Sequence, residues 1–292
     1  MKKEIQLVVD AKATLGEGPC WDRENQLLYW VDIQNKKVCI HNPNTNDNKE
    51  IQLDQLVGAA VLRKSGGLIL AMEKGFYSLN LKTYSLEQIV DPEGHMLGNR
   101  FNDGKVDPKG RFWAGTMSLN EEKEKGSLYC LHTDLTVEKK VSQLTISNGI
   151  AWSPDHRYMY LIDTPTRKVT RYQYDNETGN ITNPEDVIAF PQGVGNPDGM
   201  TIDEDGMLWI AHWGGARVSR WNPETGEQID EICVPAKNVT SCTFGGESLD
   251  ELYITTARTG TNDEELVKYP HAGGVFRVKM ECIGSCNYYF EG

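Results

Sequence analysis

The chain has 292 residues and a formal net charge of −12 at pH 7. An acidic chain argues against nucleic acid and anionic membranes as partners, because both demand a basic face. No apolar run is long enough to span a bilayer. At the N-terminus, Lys2 and Lys3 are followed by the alternating stretch Glu4-Ile5-Gln6-Leu7-Val8 and not by a long apolar core, so no secretory signal is expected. The seven cysteines include no CxxC pair. An odd count without a signal fits reduced thiols in a cytoplasm, the expected location. Cys20 and Cys242 fall in apolar strand-like runs, and Cys282 and Cys286 read as free thiols in a short tail.

From Glu17 onward one pattern repeats: a Gly, a short apolar strand, a polar turn and a second apolar strand. Glu17-Gly18-Pro19-Cys20-Trp21-Asp22 precedes Leu27-Leu28-Tyr29-Trp30-Val31-Asp32, and Val57-Gly58-Ala59-Ala60-Val61-Leu62 precedes Leu68-Ile69-Leu70-Ala71-Met72. Asp103-Gly104-Lys105-Val106-Asp107 precedes Phe112-Trp113-Ala114-Gly115, and Ser147-Asn148-Gly149-Ile150-Ala151-Trp152 precedes Met159-Tyr160-Leu161-Ile162-Asp163. Asp198-Gly199-Met200-Thr201-Ile202-Asp203 precedes Leu208-Trp209-Ile210-Ala211-His212. A degraded copy, Ser241-Cys242-Thr243-Phe244-Gly245, precedes Leu252-Tyr253-Ile254-Thr255-Thr256. Copies recur roughly every 40–50 residues, the period of one four-stranded propeller blade. The aromatic and β-branched runs read as hairpin partners, and their near-continuous apolarity suits burial between neighbouring blades. The expected fold is all-β, a six-bladed β-propeller with a central metal-binding channel. Residues 1–281 would form one domain, closed by strands near residues 5–8 and 274–280 sharing a blade, since an open ring leaves two sticky edges. Residues 282–292 would be a short tail.

In a propeller the innermost strand of each blade lines the axis, so equivalent positions converge on one cavity. The residue before each Gly is Glu17, Val57, Asp103, Asn148 and Asp198 in turn, with Ser241 in the degraded copy. Each pair alone reads as a turn dipeptide. Their shared register instead brings three carboxylates and an amide together, where burial and mutual repulsion are costly without a cation. All-oxygen donors select one hard divalent ion, Ca²⁺ before Mg²⁺, with Mn²⁺ or Zn²⁺ also open.

The stretches Leu15-Gly16-Glu17-Gly18-Pro19, Asn99-Arg100-Phe101-Asn102-Asp103-Gly104-Lys105-Val106-Asp107, Gly115-Thr116-Met117, Ser147-Asn148-Gly149-Ile150-Ala151-Trp152-Ser153 and Pro197-Asp198-Gly199-Met200-Thr201-Ile202-Asp203 stand in this order. In them the chain resembles the family of regucalcin (senescence marker protein), gluconolactonase and luciferin-regenerating enzyme, over nearly its whole length. The resemblance implies a six-bladed propeller that hydrolyses sugar lactones with one divalent metal in the central channel. It implies Glu17, Asn148 and Asp198 as metal ligands, with Asp198 also moving the proton. Arg100 and Asn102 match the family's substrate-binding positions, and Asp103 matches a position next to the metal ligands and is the second candidate base.

The chain departs from the family after Gly115-Thr116-Met117, where an acidic substrate contact is expected. An ungapped count puts Asn120 there, with Glu121 next, and either could serve. Loops after the second strands should rim the same mouth, among them Thr164-Pro165-Thr166, His212-Trp213-Gly214-Gly215 and Arg258-Thr259-Gly260. His212 and Trp213 read equally well as packing and stay outside the expected site, as does His95. The expected partner is a small lactone, with no nucleic acid or membrane and no protein partner indicated. Two other functions stand beside lactone hydrolysis: a phosphotriesterase-like hydrolase, and a calcium-binding propeller without activity.

Overall fold

The computed structural model describes residues 4–292, so Lys2 and Lys3 lie outside it. The described residues form six four-stranded antiparallel sheets, the expected propeller blades. In five of them the strands follow in sequence from axis to rim. The inner strands are Gly16–Asp22, Val57–Leu62, Asn99–Val106, Ser147–Trp152, Asn196–Ile202 and Asn238–Gly245, which define blades 1 to 6. The sixth blade is completed from the other end of the chain: Ile5–Val9 pairs with Val275–Lys279, Ile5 standing opposite Val278. Non-local pairing of this kind joins both ends of the ring and removes the free edges.

Burial falls from axis to rim. Val57–Leu62 and Ser147–Trp152 are buried at every position, whereas in the rim strand Asp47–Gln52 only Ile51 is. Aromatic rings bridge the blades. Trp21 stacks on Tyr253 between blades 1 and 6 with centroids 5.2 Å apart, and Phe76 meets Phe101 between blades 2 and 3 at 4.6 Å. Such pairs contribute about 0.5–1.5 kcal/mol beyond the area they bury.

Every inner strand shifts register against its second strand near its start, between Glu17 and Cys20, Val57 and Ala59, Phe101 and Gly104, Asn148 and Ile150, Pro197 and Met200, and Val239 and Ser241. A bulge bends the strand and re-aims the side chains beside it. Here it recurs at the one level where the axis needs polar groups. The repeated Gly follows from close approach. A methyl on Gly58 would strike the carbonyl oxygens of Phe101 and Asn102, and one on Gly199 would strike the Ser241 hydroxyl. In blade 6 the bulge precedes Ser241, which therefore lines the channel with Lys105 below the ring and does not stand level with Glu17.

Residues 281–292 do not hang free. Ser285 N–H donates to Ile202 O at 3.0 Å, Asn287 bonds Thr243 Oγ1 at 3.1 Å, and Tyr288 Oη lies 3.1 Å from His156 Nε2. Tyr289 Oη donates to Asp22 at 3.0 Å, Phe290 N–H to Leu62 O at 2.8 Å, and Glu291 N–H to Gly110 O at 3.0 Å. The segment thus touches all six blades. Phe290 is fully buried, and Asn287 and Tyr288 close the channel below Lys105. Cys286, expected as a free thiol, is free and exposed. No helix of the described residues is long and apolar enough to cross a membrane.

Candidate active site

The bulges bring Glu17, Asp103, Asn148 and Asp198 onto the axis, all buried, at 4–6 % exposure. The carboxylates receive little help. Gly18 N–H donates to Glu17 at 3.0 Å, Gly104 N–H to Asp103 at 2.7 Å, and the Gly199 backbone to Asp198. Burial first, then the neighbouring Asp103, pushes the Glu17 carboxyl up to about 8. Asp198 is raised well above the usual carboxylate range by burial, then by Glu17 and Asp103. Asp103 is raised by burial as well, with Lys105 beneath it pulling the other way. Within one small volume Asp103 raises the proton affinity of Glu17, and both raise that of Asp198.

A hydrogen-bonded chain holds the rest. Arg100 Nη1 donates to Asn102 Oδ1 at 2.7 Å and to Phe101 O at 2.9 Å. Asn102 Nδ2 donates to Asn148 Oδ1 at 3.0 Å and to Ser147 O at 2.9 Å, and Asn148 Nδ2 donates to Thr164 Oγ1 at 2.8 Å. Thr164 in turn donates to Pro197 O at 2.8 Å, which ties blades 3, 4 and 5 together. Burial lowers Arg100 to about 10, opposed by Glu17, Glu121, Asp198 and Glu73 around it.

Of the alternatives after Met117, both are exposed: the charge of Glu121 acts on Arg100, and the Asn120 backbone N–H binds Ser118 Oγ at 3.1 Å. His212 is fully buried, bonded to Val194 O at 2.8 Å and Ser219 Oγ at 2.5 Å, and is part of the packing. His95 is exposed. Three contributors escaped the sequence reading. Lys105 donates to Met200 O at 2.7 Å inside the channel, and its charge directly after the repeated Gly, where other blades carry Pro19, Ala59, Ile150 and Met200, was the available signal. The sequence marks Thr164 only as a rim residue, and Glu73 follows its strand in a turn that no motif marks.

Fold and site together define a six-bladed propeller with a buried acidic pocket at the head of its channel. The chain belongs to the SMP-30/gluconolactonase/LRE-like family, whose pattern matches residues 15–258. It is 45% identical to the "Putative sugar lactone lactonase YvrE" of Bacillus subtilis, over 95% of each chain. The structure of a luciferin-regenerating enzyme, 35% identical, superposes with a TM-score of 0.94 over 99% of this chain and 100% of that one. Regucalcin of Agrobacterium tumefaciens, described as a calcium-binding protein, superposes at 0.95 with 27% identity, over 99% and 98%.

Proposed function

We propose that the protein hydrolyses the ring ester of a sugar lactone at the head of the channel, with one divalent cation. The observation that carries this is the set of buried, mutually repelling carboxylates beneath Arg100. Kinship with a protein named for sugar lactone hydrolysis supports it.

The donor chemistry fits a hard cation, Ca²⁺ first and Mg²⁺, Mn²⁺ or Zn²⁺ after it. Glu17, Asp198 and Asn148 Oδ1 would hold it. Among the described residues no three Asp, Glu, His or Cys side chains form a cage of their own, and this set contains only two. When bound, the ion supplies Lewis acidity toward the lactone carbonyl and relieves the repulsion in the ring. Asp198 takes the proton of the attacking water and returns it to the ring oxygen as the ester C–O bond breaks. Asp103, raised by burial with Lys105 opposing the rise, is the second candidate for that task. Arg100 offers a planar donor face to the substrate's oxygens, Asn102 fixes its plane, and Glu121 accepts from a sugar hydroxyl.

The test strips the protein with chelator, restores each ion in turn, and follows acid release from glucono-δ-lactone with spontaneous hydrolysis subtracted. Turnover should return with metal and vanish in Asp198→Ala. Metal binding without turnover of any lactone would favour the calcium-binding reading instead.

A further inference from the structure

Blade 2 contributes an apolar residue, Val57, where blades 1, 3, 4 and 5 contribute polar ones. Val57 pairs with Met72, and the next residue, Glu73, begins the turn that leads to Gly75. Its backbone N–H is anchored to Leu56 O at 2.9 Å. Blade 2 lies hard against blade 3 at this level, since Gly58 meets the backbone of Phe101 and Asn102, the neighbours of Arg100. Half-buried Glu73 therefore leaves its strand at the level of blade 2's apolar place in the ring, beside blade 3, and its charge acts on Arg100 together with that of Glu121. Among the described residues its side chain makes no hydrogen bond and no close ion pair.

We infer that Glu73 is a specificity-determining residue, accepting a hydrogen bond from a hydroxyl of the lactone's exocyclic tail and excluding lactones whose tail carries a negative charge. This deepens the lactonase reading and rests on it. Arg100 could attract an anionic tail, but its guanidinium is already bonded to Phe101 O and Asn102 Oδ1 and is faced by four carboxylates. Two of these, Glu17 and Asp198, belong to the ring. Glu73 and Glu121 come from loops above it, so an incoming tail meets their charge first. At roughly 10 Å and an effective dielectric constant of about 20, one unit charge changes an equilibrium by about tenfold.

A matched pair of substrates tests it: the γ-lactone of an aldonic acid, and the γ-lactone of the corresponding aldaric acid, with a carboxylate in place of the terminal alcohol. The wild type should favour the neutral lactone in kcat/KM by about tenfold or more. Glu73→Gln, nearly isosteric at this half-buried turn position, should narrow that ratio about fivefold to tenfold by improving turnover of the charged lactone. It should raise KM for the neutral one with little change in kcat. In the wild type, added salt should narrow the same ratio, a readout that needs no variant. A ratio unchanged both by Glu73→Gln and by salt overturns the assignment and leaves the lactonase reading standing. Turnover of neither lactone by the metal-restored wild type overturns both.

Discussion

Two sets of carboxylates are equally buried in this propeller and have opposite surroundings. At the closed end, Asp107 is fully buried and accepts from Arg111 Nε at 2.6 Å, Trp113 Nε1 at 2.9 Å and Tyr174 Oη at 2.8 Å. Asp203, equally buried, accepts from Met207 N at 2.9 Å, Trp209 Nε1 at 2.9 Å and Arg220 Nε at 2.7 Å. At the mouth, Glu17 and Asp103 have one short backbone donor each and otherwise face one another. Burial of an acid therefore does not mark a site; burial without partners does. The first set stabilises the fold, and the second stores unfavourable energy that a ligand can release.

The sharpest way to break this contrast is to delete one acid from each set. Asp198→Ala should cut metal-dependent lactone turnover about a thousandfold or more, because it removes both a ligand and a proton carrier. The cation-free variant should melt no lower than the wild type, since a repelling buried charge is gone. A variant that melts much lower would mean that the ring acids are structural after all. Asp203→Ala should behave in reverse. It removes the acceptor of Met207 N–H and Trp209 Nε1 and leaves Arg220 with the exposed Asp205, and should cost about 2–3 kcal/mol in denaturant unfolding. Its turnover per folded molecule should stay close to that of the wild type.

The pH dependence of the cation-free protein separates the sets again. Glu17 holds its proton up to about 8 in the folded chain, against an ordinary value of 4.5. Between those values the folded state binds a proton that the unfolded chain has released, so stability falls as pH rises through the window. We expect a loss on the order of 3 kcal/mol from about pH 5 to about pH 8. A saturating divalent cation should abolish or reverse that slope. A flat profile without cation would show that the ring carboxylates are hydrated, not crowded.

What the sequence made legible follows the same division. Blades were readable because every inner and second strand is sandwiched, so apolar runs such as Leu68–Met72 and Leu208-Trp209-Ile210-Ala211 recur with the period. The ring was readable because the bulge fixes one position per blade. Glu73 was not, because a turn residue has no periodicity and its nearness to Arg100 comes from blade 2 packing against blade 3 at Gly58. Nor was the course of residues 281–292. Its partners, among them Asp22 and Leu62, are distant in sequence, and a dozen residues without regular pairing carry no pattern that announces them. Asn120 and Glu121, adjacent on one exposed turn, differ for Arg100 in charge, which a motif count does not weigh.

The smallest effect probes how the mouth is kept in order without strong charges. Asn148 turns Oδ1 toward Asn102 because its Nδ2 is held by the Thr164 hydroxyl, itself committed to Pro197 O. Thr164→Val keeps the shape and removes the acceptor, so the amide loses the bond that decides which end faces the axis. Calcium affinity, measured by calorimetric titration, should fall about tenfold, the lower end of what removing a ligand's supporting partner costs. The melting temperature should move by only about 2 °C, because one partly buried hydrogen bond contributes about 1 kcal/mol. Unchanged affinity would mean that the Asn102 bond orients the amide alone. In that case the disposition of Asn148 is set within blades 3 and 4, and the tie to blade 5 serves only to hold the ring together.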